Sequence, residues 1–179
     1  SGPWGLAAAD LTTGELLGCA LDGPAAVHAE LARLEPKEIL VPRGSAGQVR
    51  ESLGVGRGVR ISEGEPGADD PELAAQALMR RLGEEVATQA AAELSAPALR
   101  AAGLAVAYLA STQPNLPLPV RRVLPFSPTE GLVIDETAQG HLELLRTTRG
   151  EKRGSLLELL DRARTPMGAR LLRQWLLRP

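Results

Sequence analysis

Apolar and polar positions fall into short blocks along the N-terminal third of the chain, each the length of a strand or a helix. Trp4–Leu11 is apolar, Thr12-Thr13-Gly14-Glu15 follows, and Leu16–Leu21 is apolar again, which predicts a hairpin around a glycine-bearing turn. Gly23-Pro24 breaks the pattern, and Val27, Leu31 and Leu34 then recur at helical spacing. Pro36 ends that helix, Ile39-Leu40-Val41 is a buried strand closed by Pro42, and Ser45–Leu53 is a short helix. Val55–Ile61 alternates apolar residues with Gly or Arg, as a further strand would. A hairpin followed by helix, strand, helix and strand predicts a three-layer α/β domain with a mixed sheet.

Glu63–Asp70 is a loop rich in Gly, Pro and acid, and Glu72–Leu94 is one long helical stretch. On it Glu72, Gln76 and Arg80 recur every four residues on the polar side, with Leu73, Ala77 and Leu78 expected inward. Ser95-Ala96-Pro97 opens another helix, with Leu99, Gly103, Val106 and Leu109 along one face. Gly103 would permit close approach to the sheet. Pro114, Pro117 and Pro119 make an extended connector and set the expected domain boundary, dividing residues 1–115 from 116–179. Leu132-Val133-Ile134 is a short strand. Ser155-Leu-Leu-Glu158 is a capping box whose helix is expected to run to about Arg164, and Thr165-Pro166 supplies an N-cap and N1 proline for a second helix. That helix carries an apolar stripe of Met167, Leu171, Leu172, Trp175 and Leu176, which has little here to pack on. A larger bundle, or self-association through Leu171, Leu172 and Trp175, is expected to cover it.

Composition narrows the classes. The chain has 44% hydrophobic and 23% charged residues, as a globular protein does, and no apolar run approaches the roughly 20 residues of a membrane span. A single cysteine, Cys19, excludes an intrachain disulfide and a cysteine-based zinc site, and fits the cytoplasm. A net charge of −2 argues against a dedicated nucleic-acid binder. The charge is uneven: residues 1–115 hold 9 basic and 15 acidic side chains, residues 116–179 hold 11 and 7. Opposite signs in the two halves suggest two structural units.

The C-terminal residues carry a family resemblance. Leu160-Asp161 followed by Thr165-Pro166-Met167-Gly168-Ala169-Arg170-Leu171-Leu172-Arg173-Gln174-Trp175-Leu176 resembles the start of the core of the MutS family of bacterial mismatch-recognition proteins. Gly154-Ser155-Leu156-Leu157 and Leu142-Glu143-Leu144 stand at that family's spacing. Ala101-Ala102-Gly103, Tyr108-Leu109 and Thr112-Gln113 resemble its last connector helix, and Asp10–Glu15 and Leu34–Leu40 the connector's opening. Gly140-His141 departs from the usual Arg-Asn, and Arg162-Ala163-Arg164 stands where a Thr is common. The resemblance implies a ribonuclease-H-like connector domain over 1–115 and the beginning of the core and lever over 116–179. It implies a non-catalytic segment that links mismatch-reading and core domains, transmits ATP-driven motion and helps dock MutL, in the bacterial cytoplasm at the nucleoid. Further partners would be the rest of the MutS chain and its dimer mate, with mismatched DNA reached only through other domains. No G-x-x-x-x-G-K-[ST] motif occurs, so ATP and magnesium would belong to another domain and this stretch would hold no cofactor of its own. Docking is placed on Glu72, Gln76 and Arg80.

Other residues invite competing readings. Asp10, leaving a strand into Thr-Thr-Gly, could serve a ribonuclease-H-like metal-dependent nuclease, with Glu15 and Glu38 as further acids, or a nucleotide-binding protein. The simpler expectation is that Asp10 caps its turn. Gly54-Val-Gly56-Arg-Gly58 leads into a strand and not a helix, so turn flexibility outweighs a dinucleotide loop. His28 and His141 are expected on a helix surface and in a loop, with no metal, and Ser155 is a cap and not a nucleophile. Arg162, Arg164, Arg170, Arg173 and Arg178 are expected to line a solvated helix face.

Overall fold

The computed structural model describes residues 2–54, 58–65, 70–112, 114, 117–127, 134 and 136–177. The chain divides into two compact units, Ser1–Ser127 and Pro128–Pro179. In the first, β1 (Trp4–Asp10) and β2 (Glu15–Leu21) form the expected antiparallel hairpin, in register from Trp4 opposite Leu21 to Asp10 opposite Glu15. Then follow α1 (Gly23–Leu34), β3 (Glu38–Val41), α2 (Ala46–Leu53) and β4 (Arg60–Glu63). Helix α1 ends on Glu35, whose left-handed backbone (φ 44°) returns its N–H to the Leu31 carbonyl just before Pro36. Strands β3 and β4 pair in parallel as a separate two-stranded sheet. Strand β4 begins later than the sequence suggests, and the middle of the Gly54–Gly58 run lies outside the described residues.

The long helical stretch is two helices, α3 (Pro71–Leu82) and α4 (Glu84–Glu93). Gly83, at φ 90° and ψ 164°, cannot continue a helix and makes the break, a conformation that glycine adopts without Cβ strain. Asp70 caps α3, accepting from the N–H groups of Glu72 and Leu73 at 2.8 and 3.1 Å, with Pro71 in the first turn. Helix α5 (Ala96–Thr112) follows, and then β5 (Arg122–Pro125), which pairs in parallel with β2. This strand explains why the observed division falls at 127/128 and not at 115/116: residues beyond the prolines hydrogen-bond into the first unit's sheet, with the Phe126 N–H reaching the Gly18 carbonyl at 3.0 Å.

Alternation along β2 sends its side chains to two cores. Leu16 joins Leu78, Ala90, Ala102, Val106 and Val123 beneath α3–α5. Cys19 and Leu21 join Val27, Val41, Val49 and Leu53 beneath α1 and α2. Helices therefore cover both faces, as a layered α/β unit requires. Gly103 allows a close approach, but to α3 and not to the sheet. A Cβ placed there would lie 2.3 Å from the Ala74 Cβ and 2.4 Å from its Cα.

The second unit contains α6 (Glu136–His141), α7 (Leu156–Leu160) and α8 (Pro166–Leu177). Residues 132 and 133 of the expected strand lie outside the described residues. The Ser155 Oγ accepts from the Glu158 N–H at 3.2 Å as expected, but the Glu158 carboxylate takes the Gly154 N–H, because the Ser155 N–H already donates to the Lys152 carbonyl. Helix α7 stops at Leu160, well short of Arg164. The Asp161 backbone is extended and its carboxylate accepts the Ala163 N–H at 2.9 Å, a local turn that competes with helix. Thr165 caps α8 as expected, accepting from the Gly168 N–H at 3.1 Å. Met167, Leu171 and Trp175 are exposed, Trp175 by 63%.

Candidate functional site

Helix α3 presents Glu72, Gln76 and Arg80 to solvent on one face, one turn apart. Its buried side is Ala74, Ala77 and Leu78. Leu73, expected inward, is 43% exposed, because the small Ala74 turns the helix so that its backbone can meet Gly103. Between α3 and α5 lies a shallow groove of about 430 Å³, floored by Ala77, Ala107 and Ala110 and rimmed by Arg80 and Arg81. Arg81 was not singled out by the four-residue spacing; its signal is that it adjoins Arg80 in the last turn, where cations complement the helix dipole.

The acids considered for metal chemistry are engaged separately. The Asp10 carboxylate accepts from the Thr12 N–H at 2.8 Å and the Thr12 hydroxyl at 2.6 Å, and its carbonyl accepts the Gly14 N–H, so it caps the hairpin turn. Glu15 pairs with Arg122 across the β2–β5 ladder at 2.6 Å. Glu38 accepts from the Ser62 hydroxyl and, at 2.7 Å, from the Tyr108 hydroxyl, with the Arg60 Nε at 3.6 Å. Among the described residues no three His, Cys, Asp or Glu side chains are grouped to hold a metal ion. The His28 Nδ1 lies 2.5 Å from the Leu53 carbonyl, a tie between α1 and the end of α2.

The Glu38 cluster joins β3, β4 and α5 and has a titratable consequence. Hydrogen bonds from Ser62 and then Tyr108 hold its carboxyl below the usual carboxylate range, against a smaller opposing effect of burial. A depressed folded value gives stability that is present above the ordinary carboxylate range and lost as pH falls through the folded value. Tyr108→Phe is expected to move the Glu38 titration upward, towards that ordinary range, and to start acid unfolding at higher pH. Carboxyl NMR would detect the shift; identical Glu38 titration in both proteins would refute the coupling.

Two units in this order, an α/β unit with mixed pairing and then a helical one, define the class when set beside known sequences. The sequence profile of MutS domain II matches residues 1–121, and that of MutS domain III matches residues 137–179. The chain belongs to the MutS family. It is 39% identical over 180 residues to the DNA mismatch repair protein MutS of Sorangium cellulosum (strain So ce56), covering 99% of this chain and 19% of that one. The protein of the same name from Acaryochloris marina (strain MBIC 11017) is 36% identical over 188 residues, covering 98% and 21%. That of Myxococcus xanthus (strain DK1622) is 34% identical over 180 residues, covering 98% and 20%. The chain thus spans about a fifth of the length of these curated relatives. Among the described residues no helix is long and apolar enough to cross a membrane.

Proposed function

We propose that this chain is the connector and the beginning of the core and lever of a DNA mismatch-repair MutS, and that it works as a scaffold and docking module with no catalysis of its own. The observation that carries this reading is the collinear pair of domain matches on two compact units. In this reading the first unit is a ribonuclease-H-like connector, supported by its hairpin, its parallel β2–β5 pairing and helices on both faces. It joins a mismatch-reading domain to the core and conveys motion driven by ATP and magnesium bound elsewhere in the MutS chain and its dimer mate. Mismatched DNA is reached through those other domains, and the protein acts in the cytoplasm at the nucleoid.

The exposed face of α3 is the docking surface for MutL in this proposal, with Glu72, Gln76 and Arg80 as its polar contacts. All three side chains are solvent-facing, so their replacement leaves the helix packing intact. Gln76→Glu combined with Arg80→Glu is expected to weaken binding of the chain to MutL by roughly tenfold, about 1.4 kcal/mol. Titration of labelled MutL from the same organism, with and without ATP, measures this. Unchanged affinity in the double variant rules the face out.

A further inference from the structure

We infer that the groove between the outer face of α1, the start of β3 and the end of α2 is a binding site for a small, uncharged aromatic molecule carrying one hydrogen-bond donor. The groove holds about 360 Å³, at the lower end of the roughly 300–1,000 Å³ over which small-molecule sites occur. Its lining comes from elements that are separate in sequence. Leu31 on α1, Ile39 on β3 and Leu53 at the end of α2 make it apolar, and Val59 adds to them. Leu53 is buried, whereas Leu31, Ile39 and Val59 are only partly buried, so apolar surface is left for a ring to cover. Gly54 and Gly58 also line the groove, and a Cβ on either would meet nothing within 4 Å, so the space beside them is open.

His28 supplies the directional contact. Its Nδ1 lies 2.5 Å from the Leu53 carbonyl, and a carbonyl oxygen only accepts, so Nδ1 carries the hydrogen. In the neutral ring Nε2 is then a lone-pair acceptor, and among the described residues it has no partner. The same bond ties the ring to the end of α2, so the acceptor is held in place before a ligand arrives. Glu35 and Lys37 line the groove with opposite signs, which leaves no net charge to draw an anion or a cation. The matching ligand is apolar over its ring, uncharged, and able to donate one hydrogen bond to Nε2. A phenol is the simplest case. A free molecule suits the groove better than the side chain of a protein partner. Protein anchors are ringed by further contacts that exclude water, and none of the exposed large hydrophobic residues among those described belongs to α1, α2, β3 or β4.

The test is titration of the whole, isotope-labelled chain with phenol in mildly alkaline buffer, followed by backbone amide shifts. Saturable shifts clustered on Leu31, Ile39, Leu53 and Gly54 are expected, with a Kd of about 1 mM, which a ligand of this size can supply. Anisole has the same ring but no hydrogen to donate. It is expected to bind about three- to tenfold more weakly, the worth of one hydrogen bond to a neutral acceptor. His28→Leu is expected to abolish that preference. Because this change also removes the tie between α1 and α2, a second variant is Ala32→Phe, at an exposed position of the lining. Its ring is expected to fill the groove and weaken phenol binding by about fivefold or more, with amide shifts elsewhere unchanged. The inference is overturned by shifts that do not saturate or that scatter over the surface, by equal affinity for phenol and anisole, or by unaltered phenol binding in Ala32→Phe. It is equally overturned if N-acetyltyrosinamide binds more tightly than phenol, which would make the groove a pocket for a protein side chain.

Discussion

Gly103→Val is expected to unfold the first unit at ambient temperature or to lower its urea midpoint drastically, and Gly103→Ala to cost about 1–3 kcal/mol net. Two opposing effects meet at this position. Alanine is favoured over glycine inside a helix by about 1 kcal/mol, and Gly103 lies well inside α5. Against that, any Cβ at residue 103 would sit 2.3 Å from the Ala74 Cβ and 2.4 Å from its Cα. The second of these is backbone and cannot rotate away, so α3 must withdraw from α5, and Leu78 leaves the core with it. Sterics win. The diagnostic is the double variant Ala74→Gly with Gly103→Ala: moving the methyl group across the interface should recover part of the loss, with a coupling between the two sites of about 0.5–3 kcal/mol. A Gly103→Ala protein with a raised midpoint would show that the helices do not approach this closely.

Leu78→Ala is expected to cost about 2–5 kcal/mol, whereas Leu73→Ala should change stability by less than about 1 kcal/mol. The two leucines share a helix and the substitution is chemically identical, so helix propensity cancels and burial alone separates them. Leu78 is 0% exposed among Leu16, Val106 and Val123, and its truncation leaves a cavity that a close-packed core cannot refill. Leu73 is 43% exposed. Urea titrations of both variants with unchanged slopes would measure the contrast, and equal losses would mean that α3 is rotated from the phase described above.

That phase marks the limit of what the amino-acid pattern reveals here. Elements bounded by strong punctuation were legible: the Thr-Thr-Gly turn, the Pro36 stop, the Thr165-Pro166 cap and the solvent face of Glu72, Gln76 and Arg80 all stand where residue chemistry puts them. The inward face of α3 was misjudged by one residue, because counting leucines ignores a core built on alanine. Ala74, Ala77, Ala90, Ala98 and Ala102 are all buried, yet alanine carries little hydrophobic signal of its own. On α5 the expected Gly103 and Val106 are buried and Leu99 packs half-buried against the core, but the buried line also runs through Ala98, Ala102 and Ala110, which the leucine pattern does not mark. The break at Gly83 was hidden because a lone glycine in a helical stretch is often tolerated. Strand β5 went unseen because its four residues are stabilised by a parallel partner remote in sequence, and no local signal encodes that pairing. The Glu38 link to Tyr108 was illegible for the same reason, joining residues 70 positions apart.

The pairing of β2 with β5 also sets a schedule. Leu16 meets Val123 only after about a hundred intervening residues have been made. At ribosomal speeds of about 5–20 residues per second, one edge of β2 waits roughly 5–20 s for its neighbour. During that wait the nascent hairpin exposes an unsatisfied row of peptide groups beside an apolar face, the combination on which chains cross-associate. The interval between the emergence of Leu21 and that of Pro125 is therefore when a chaperone would matter most to this chain, and rare codons placed within it would lengthen the exposure.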